Sequence, residues 1–360
     1  MKLLSRISLL LLLVPAVMLG NDKFKGKYTK EKTLNKEYSV NANATLEVDN
    51  SYGNIDVVTW NENRIVIEVT IRTNGNNEER VQEKLNDIDV QFSGSSSRVT
   101  AETVFKGRKN NWSWWGSKKN KVSMEINYSI KMPVSNSVDL SNDYGGINLG
   151  DLDGTASISC DYGQMNIGEL RGDGNYLNFD YTKNSTIDYM KTGKINADYS
   201  GFTVRRADRL ELNADYSKSE IDNVNTLEYN CDYGKLTVGT VGNMTGQADY
   251  LPHNIGTVNG SLDLNTDYGS ITVDRMSSSA GDVTIKSDYT GIKLGIASGY
   301  NFDFTLDMDY GSFKGKENVN VQHSSKDGSD RMYSGYHGQS GSGNNIRINS
   351  SYGGITFNKN

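Results

Sequence analysis

Aligned on a recurring tyrosine, the apolar residues of the second half of the chain fall four and two positions before the ring and three and five after it. Leu212, Ala214 and Ile221 around Tyr216 show the pattern. Leu227, Tyr229, Cys231, Leu236 and Val238 repeat it around Tyr233, and Leu264, Thr266, Ile271 and Val273 repeat it around Tyr268. Alternation over runs this short has the period of a strand, not of a helix. Each unit therefore reads as short strands with one face inward, broken at a Gly-containing turn and bent again near Gly or Asn, as at Gly239 and Gly256.

The pair Asp-Tyr returns ten times between Asp143-Tyr144 and Asp309-Tyr310, at spacings of 17 to 21 residues. Units that bury one face must stack on their neighbours. The prediction is an all-β chain forming a parallel β-solenoid of about 18 residues per coil, right-handed by the crossover rule. Ten coils make a rod of about 48 Å. Identical positions then form columns: one of Asp, one of Tyr, and a third of Ser141, Ser159, Asn178, Asn196, Asn213, Asn230 and Asn265. These columns together are expected to supply most of the cohesion between coils, the third by bonding between its amides. Degenerate copies stand at Ser51-Tyr52-Gly53 and Ser351-Tyr352-Gly353. The second lies 42 residues past Tyr310, which places it two of the longer periods beyond.

The two cysteines test this register. Cys160 and Cys231 each stand two residues before their tyrosine, in a small inward slot, four coils apart. Four steps amount to about 19 Å, too far for a disulfide, so both thiols are expected free and buried.

Residues 21–138 differ. Longer alternating runs at 65–72, 88–92, 99–105 and 122–131, with a short helix at 78–85, predict a β-rich region capping one end of the rod. A loop at 106–121 sets Trp112, Trp114 and Trp115 among Arg108, Lys109, Lys118, Lys119 and Lys121. Residues 139–360 form the predicted solenoid. Within it, 324–345 is rich in Gly, Ser and Asp and reads as a long mobile loop. The last strand, 355–357, precedes Asn-Lys-Asn, a tail expected to discourage edge-to-edge stacking.

Composition narrows the activity. Forty-four acidic against 38 basic residues give a net charge of -6, which disfavours nucleic-acid partners. Two cysteines in 360 residues exclude a disulfide scaffold, and three histidines leave little acid-base chemistry. Lys2 and Arg6 before an apolar run from Ile7 to Met18 mark residues 1–20 as a secretory signal peptide, too short to span a bilayer. Losing those two cations takes the charge to about -8. The expected product is exported to the periplasm, cell surface or extracellular space, with no transmembrane segment after cleavage.

Three features suggest chemistry. Asp198, Asp215, Asp232, Asp249 and Asp267, about 5 Å apart on one line, have the oxygen ligands that Ca²⁺ takes; the simpler reading has each carboxylate bonding its own turn amides. The Trp112, Trp114 and Trp115 loop suits contact with a glycan, a membrane interface or a partner, or else folds over the sheet. His253, at an inward position, reads as a packed or turn histidine, and Arg205 and Arg206 face solvent. Every Asp repeats equally, so no acid-base pair stands out and no enzyme is predicted.

The signal peptide, Ser-Tyr-Gly-Asn-Ile-Asp-Val at 51–57 and serial units such as Asp267 to Val273 resemble an exported bacterial β-strand-repeat family, common in Bacteroidetes, whose members are named adhesins of unknown function. The resemblance implies a cell-envelope or secreted β-solenoid and brings no catalytic residues. The expected function is adhesion or binding through a repetitive Asp, Asn and Tyr surface, with a cell-surface glycan or envelope protein as partner. A carbohydrate-active β-helix enzyme and a periplasmic component of envelope-stress sensing are the alternatives.

Overall fold

A computed structural model describes residues 24–106 and 121–360. The signal peptide and the loop holding Trp112, Trp114 and Trp115 lie outside the described residues. The chain is all-β, a single sheet system of 27 strands that is mostly parallel, with one α-helix among the described residues.

Each Asp-Tyr unit forms a layer of strand, turn and strand. In the layer of Tyr268, Leu262–Asp267 precedes the turn and Ser270–Met276 follows it. Each strand hydrogen-bonds in parallel to its equivalents in the layers on either side. Asn196, Asn213 and Asn230 are successive register partners, as are Val204, Ile221 and Val238. The positions read as inward are buried, and so is one more, eight residues after the tyrosine, where Ala207, Val224, Val241, Val258 and Met276 stand. These side chains form one continuous apolar cluster from Val40 to Phe357. Each fully buried aliphatic side chain contributes about 2 kcal/mol.

Beside this core and the backbone pairing between layers, the amide column adds little. Along that column Asn213 Nδ2 donates to Asn196 Oδ1 at 3.0 Å, whereas Asn230 and Asn265 are exposed and make no such bond. The column lies on the outer surface, where water competes for the same amides.

The first layer belongs to Tyr52. Thr45–Ser51 pairs in parallel with Ser137–Asp143, and Ile55–Trp60 with Ile147–Leu149. On the outer side the same two strands pair with Arg98–Phe105 and Ser123–Pro133. Arg64–Gly75 runs antiparallel between Tyr28–Ser39 and Ser123–Pro133. The helix Glu78–Asp87 starts at Asn77, whose side chain accepts from the Arg80 amide, and it buries Val81 and Leu85.

The far end departs from chain order. Asn345–Ser351 lies between Val283–Asp288 and Phe302–Asp309, and Gly354–Lys359 lies between Gly291–Ile296 and Ser312–Lys314. Tyr352 thus sits between Tyr289 and Tyr310, not beyond Tyr310. The last strand is interior, so the Asn-Lys-Asn tail guards no edge. The segment expected as a loop at 324–345 instead contributes to a hairpin, Asn320–Asp327 against Asp330–His337, which adds antiparallel to Phe302–Asp309. Its low apolar content reflects its place: Asn320–Asp327 is exposed along its whole length and forms the outer edge, where a polar strand with Lys326 discourages further pairing.

Candidate functional site

Twelve tyrosines turn the chain between the two strands of a layer: Tyr52, Tyr144, Tyr162, Tyr181, Tyr199, Tyr216, Tyr233, Tyr250, Tyr268, Tyr289, Tyr352 and Tyr310 in spatial order. All have positive φ, between 49° and 68°. This left-handed conformation is uncommon for a bulky residue and rotates the ring outward at the corner. The glycine that often follows is required by close approach: a Cβ on Gly145 or Gly163 would overlap the carbonyl oxygen of the corresponding glycine one layer below.

The rings stack face to face at centroid spacings of 4.6 to 5.4 Å, with planes within 7° of parallel. Eleven steps give a column of roughly 55 Å, the strand spacing repeated. Phe105 closes one end edge-on to Tyr52. Tyr310, with one neighbour, is the most exposed at 64%, and the ten rings from Tyr144 to Tyr352 between these ends are 43 to 56% exposed. Because the faces are used within the stack, solvent meets ring edges and phenol hydroxyls. Partial burial, then neighbouring tyrosines and aspartates, push Tyr162, Tyr233 and Tyr268 above the ordinary phenol value, so they stay neutral.

The aspartates form a second column beside the rings. From Asp161 to Asp232, and again at Asp267, the carboxylate bonds to the next layer rather than to its own turn: Asp161 Oδ1 accepts from the Asp180 amide, Asp180 from Asp198, Asp198 from Asp215, Asp215 from Asp232, Asp232 from Asp249 and Asp267 from Asp288, at 2.7 to 3.1 Å. The tyrosine amide completes the ladder by donating to the next Asp carbonyl, as from Tyr216 to Asp232 at 2.9 Å. Desolvation, followed by repulsion from the carboxylates on either side, raises Asp249. Of the five aspartates considered for Ca²⁺, Asp198, Asp215, Asp232 and Asp267 each have one oxygen committed to an amide. Among the described residues no three His, Cys, Asp or Glu side chains converge as a metal set.

Farther along the same outer face, three and five residues before the tyrosines, lies an open groove of about 310 Å³. Glu211, Glu228, Thr245 and Asp263 line one side, Asn213, Asn230, Gln247 and Asn265 the other. The sequence pattern marks the amide row but not the first, whose residue types change from layer to layer while only their outward parity repeats.

His253 is fully buried. Its Nε2 lies 2.8 Å from the Tyr229 hydroxyl and its Nδ1 3.3 Å from the Ser270 carbonyl, and desolvation lowers it to about 4. Neutral imidazole donates from Nδ1 and accepts at Nε2. Gly246 leaves the room that the Tyr229 ring fills. Arg205 and Arg206 are exposed; Arg206 lies over the Tyr189 ring. Cys160 and Cys231 are free and buried, and desolvation pushes each thiol up to about 12. No helix among the described residues is long and apolar enough to cross a membrane.

No family model matches the chain, and no curated protein matches it. Among solved structures it is similar to a putative adhesin from Parabacteroides merdae, at 13% identity over 74% of this chain and 92% of that one, with a TM-score of 0.31. It is also similar to a putative lipid binding protein from Parabacteroides distasonis, at 9% identity over 90% and 96%, with a TM-score of 0.33. A putative cell adhesion protein from Clostridium sporogenes matches at 11% identity over 92% and 100%, with a TM-score of 0.20.

Proposed function

We propose that the chain is an exported, non-catalytic, adhesin-like binding protein of the cell envelope, built as a right-handed β-solenoid of about 18 residues per coil. The observation behind this reading is the tyrosine column. A contiguous aromatic stripe exposed over roughly 55 Å is far larger than the scattered apolar residues of an ordinary surface. Tyrosine is also retained at all twelve corners although Gly or Asn would take the left-handed turn with less strain. Stacking offsets that strain, and the exposed edges and hydroxyls of the same rings support a role in recognition. Beside it Asp161, Asp180, Asp198, Asp215 and Asp232 each give one oxygen to an amide of the next layer, which supports a structural and not an acid-base role for that row.

The test uses labelled mature chain and a variant with Tyr199→Asn, Tyr216→Asn and Tyr233→Asn, replacements that accept the left-handed turn. The native chain binds whole cells or isolated envelopes, and the variant binds at least tenfold less with its fold intact. Equal binding by the two would overturn the role of the column, and binding by neither would overturn the function.

A further inference from the structure

We infer that the groove beside the tyrosine column holds a linear, uncharged polysaccharide laid along the axis of the stack. This rests on the binding reading above and names its ligand. Glu211, Glu228, Thr245 and Asp263 are successive register partners, and so are Asn213, Asn230, Gln247 and Asn265, so the two rows run parallel for four layers. The groove between them is floored by the backbone at Tyr229 and Gly246.

Glu211 pairs with Lys194 and Asn213 donates to Asn196, but the side chains of the other three layers are unoccupied by the protein. Glu228, Asn230, Thr245, Gln247, Asp263 and Asn265 are exposed, and none has a hydrogen-bond partner among the described residues. At a second groove, of about 540 Å³, the amides are satisfied internally: Asn148 donates to Asp56, and Asn166 donates to Asn148. Unpaired donors and acceptors at a fixed repeat along one groove point to a ligand with the same repeat.

Within one layer the rows set an acceptor about 7 Å from an amide that both donates and accepts, as Glu228 with Asn230 and Asp263 with Asn265. That pair suits the hydroxyls on either side of a pyranose. Successive layers advance by about 4.8 Å, close to the advance of one sugar in an extended chain. The carboxylate row and the Asp column repel polyanions. A polycation would use the carboxylates but gain nothing from four neutral amides, and Glu211 is already paired with Lys194.

Affinity electrophoresis of the mature protein through hydroxyethylcellulose, laminarin and galactomannan tests this, with polygalacturonate and chitosan as charged controls. At least one neutral polymer retards the native protein more than either control does. Asn230→Ala with Gln247→Ala weakens that retardation at least tenfold at an unchanged melting temperature. The assignment is overturned if no neutral polymer retards the protein, if a charged polymer retards it more, or if the double variant behaves as native. Cell binding that depends on Tyr199, Tyr216 and Tyr233 without any neutral-polymer retardation would reject the glycan and leave the binding function standing.

Discussion

Twelve tyrosines in the left-handed region oppose the usual preference of that turn for Gly or Asn, and the strain is about 1 kcal/mol at each. Stacking of 0.5 to 1.5 kcal/mol per ring pair offsets it. Tyr216→Asn trades two ring contacts for a relaxed turn and loses at most about 2 kcal/mol, whereas Tyr216→Val keeps the strain, adds a β-branch and loses more; urea unfolding separates the two. The ring direction was not legible in the sequence. Strict alternation through the positions four and two before Tyr216 places its ring inward, and only the left-handed turn reverses that parity. His253 was legible, because its parity obeys the strand. Its folded value of about 4 lies below the usual 6.5, so the unfolded chain binds the extra proton and stability is lost as pH falls from 6.5 toward 4. Between pH 7 and pH 4.5 the native protein loses about 2 to 3 kcal/mol more than His253→Gln does. Equal losses in urea titrations at the two pH values would remove His253 as the cause.

Elements repeat where the chain order does not. The sequence shows a tyrosine 42 residues past Tyr310, but that interval is twice 21 and keeps the same phase whether its layer lies beyond Tyr310 or before it. Periodicity fixes the inward face and is silent on which neighbour each layer takes. The structure inserts the C-terminal layer, so Ile346, Ile348, Ile355 and Phe357 are buried between layers instead of covering an end. In this order Ser287 and Ser350 are direct register partners with hydroxyls 3.2 Å apart. In chain order they would stand two layers or more apart, beyond disulfide reach. With Cys160 and Cys231 replaced by Ser, Ser287→Cys and Ser350→Cys close a disulfide under mild oxidation, seen as one cross-linked peptide by mass spectrometry. Failure to cross-link in the folded protein would restore chain order.

Across the whole molecule the acidic surplus has a place, because nine aspartates from Asp143 to Asp288 run along one edge about 5 Å apart, with Ser351 separating the last of them from Asp309. That separation is within the roughly 10 Å Debye length of 0.1 M salt, so the carboxylates repel one another while their Oδ1 atoms tie layer to layer. Charge and hydrogen bond therefore act in opposite directions, and Asp180 allows them to be separated. Its pKa is raised, chiefly by desolvation and with repulsion from Asp161 and Asp198, so the folded state binds its proton more readily than the unfolded chain does. The stability this provides is present at acid pH and lost as pH rises through the carboxylate range. Asp180→Asn keeps an oxygen for the Asp198 amide and removes the charge. At neutral pH and low salt the variant is more stable than native by less than about 1 kcal/mol, and the gain disappears in 1 M salt, where the Debye length is about 3 Å. Asp180→Ala loses the acceptor and is about 1 kcal/mol less stable at either salt. Were the column a Ca²⁺ site, millimolar Ca²⁺ would raise the native melting temperature and Asp180→Asn would blunt the rise; the amide ladder predicts that Ca²⁺ moves neither protein more than Mg²⁺ does. An Asn variant as unstable as the Ala variant would show that the negative charge itself, and not the hydrogen bond, joins the layers.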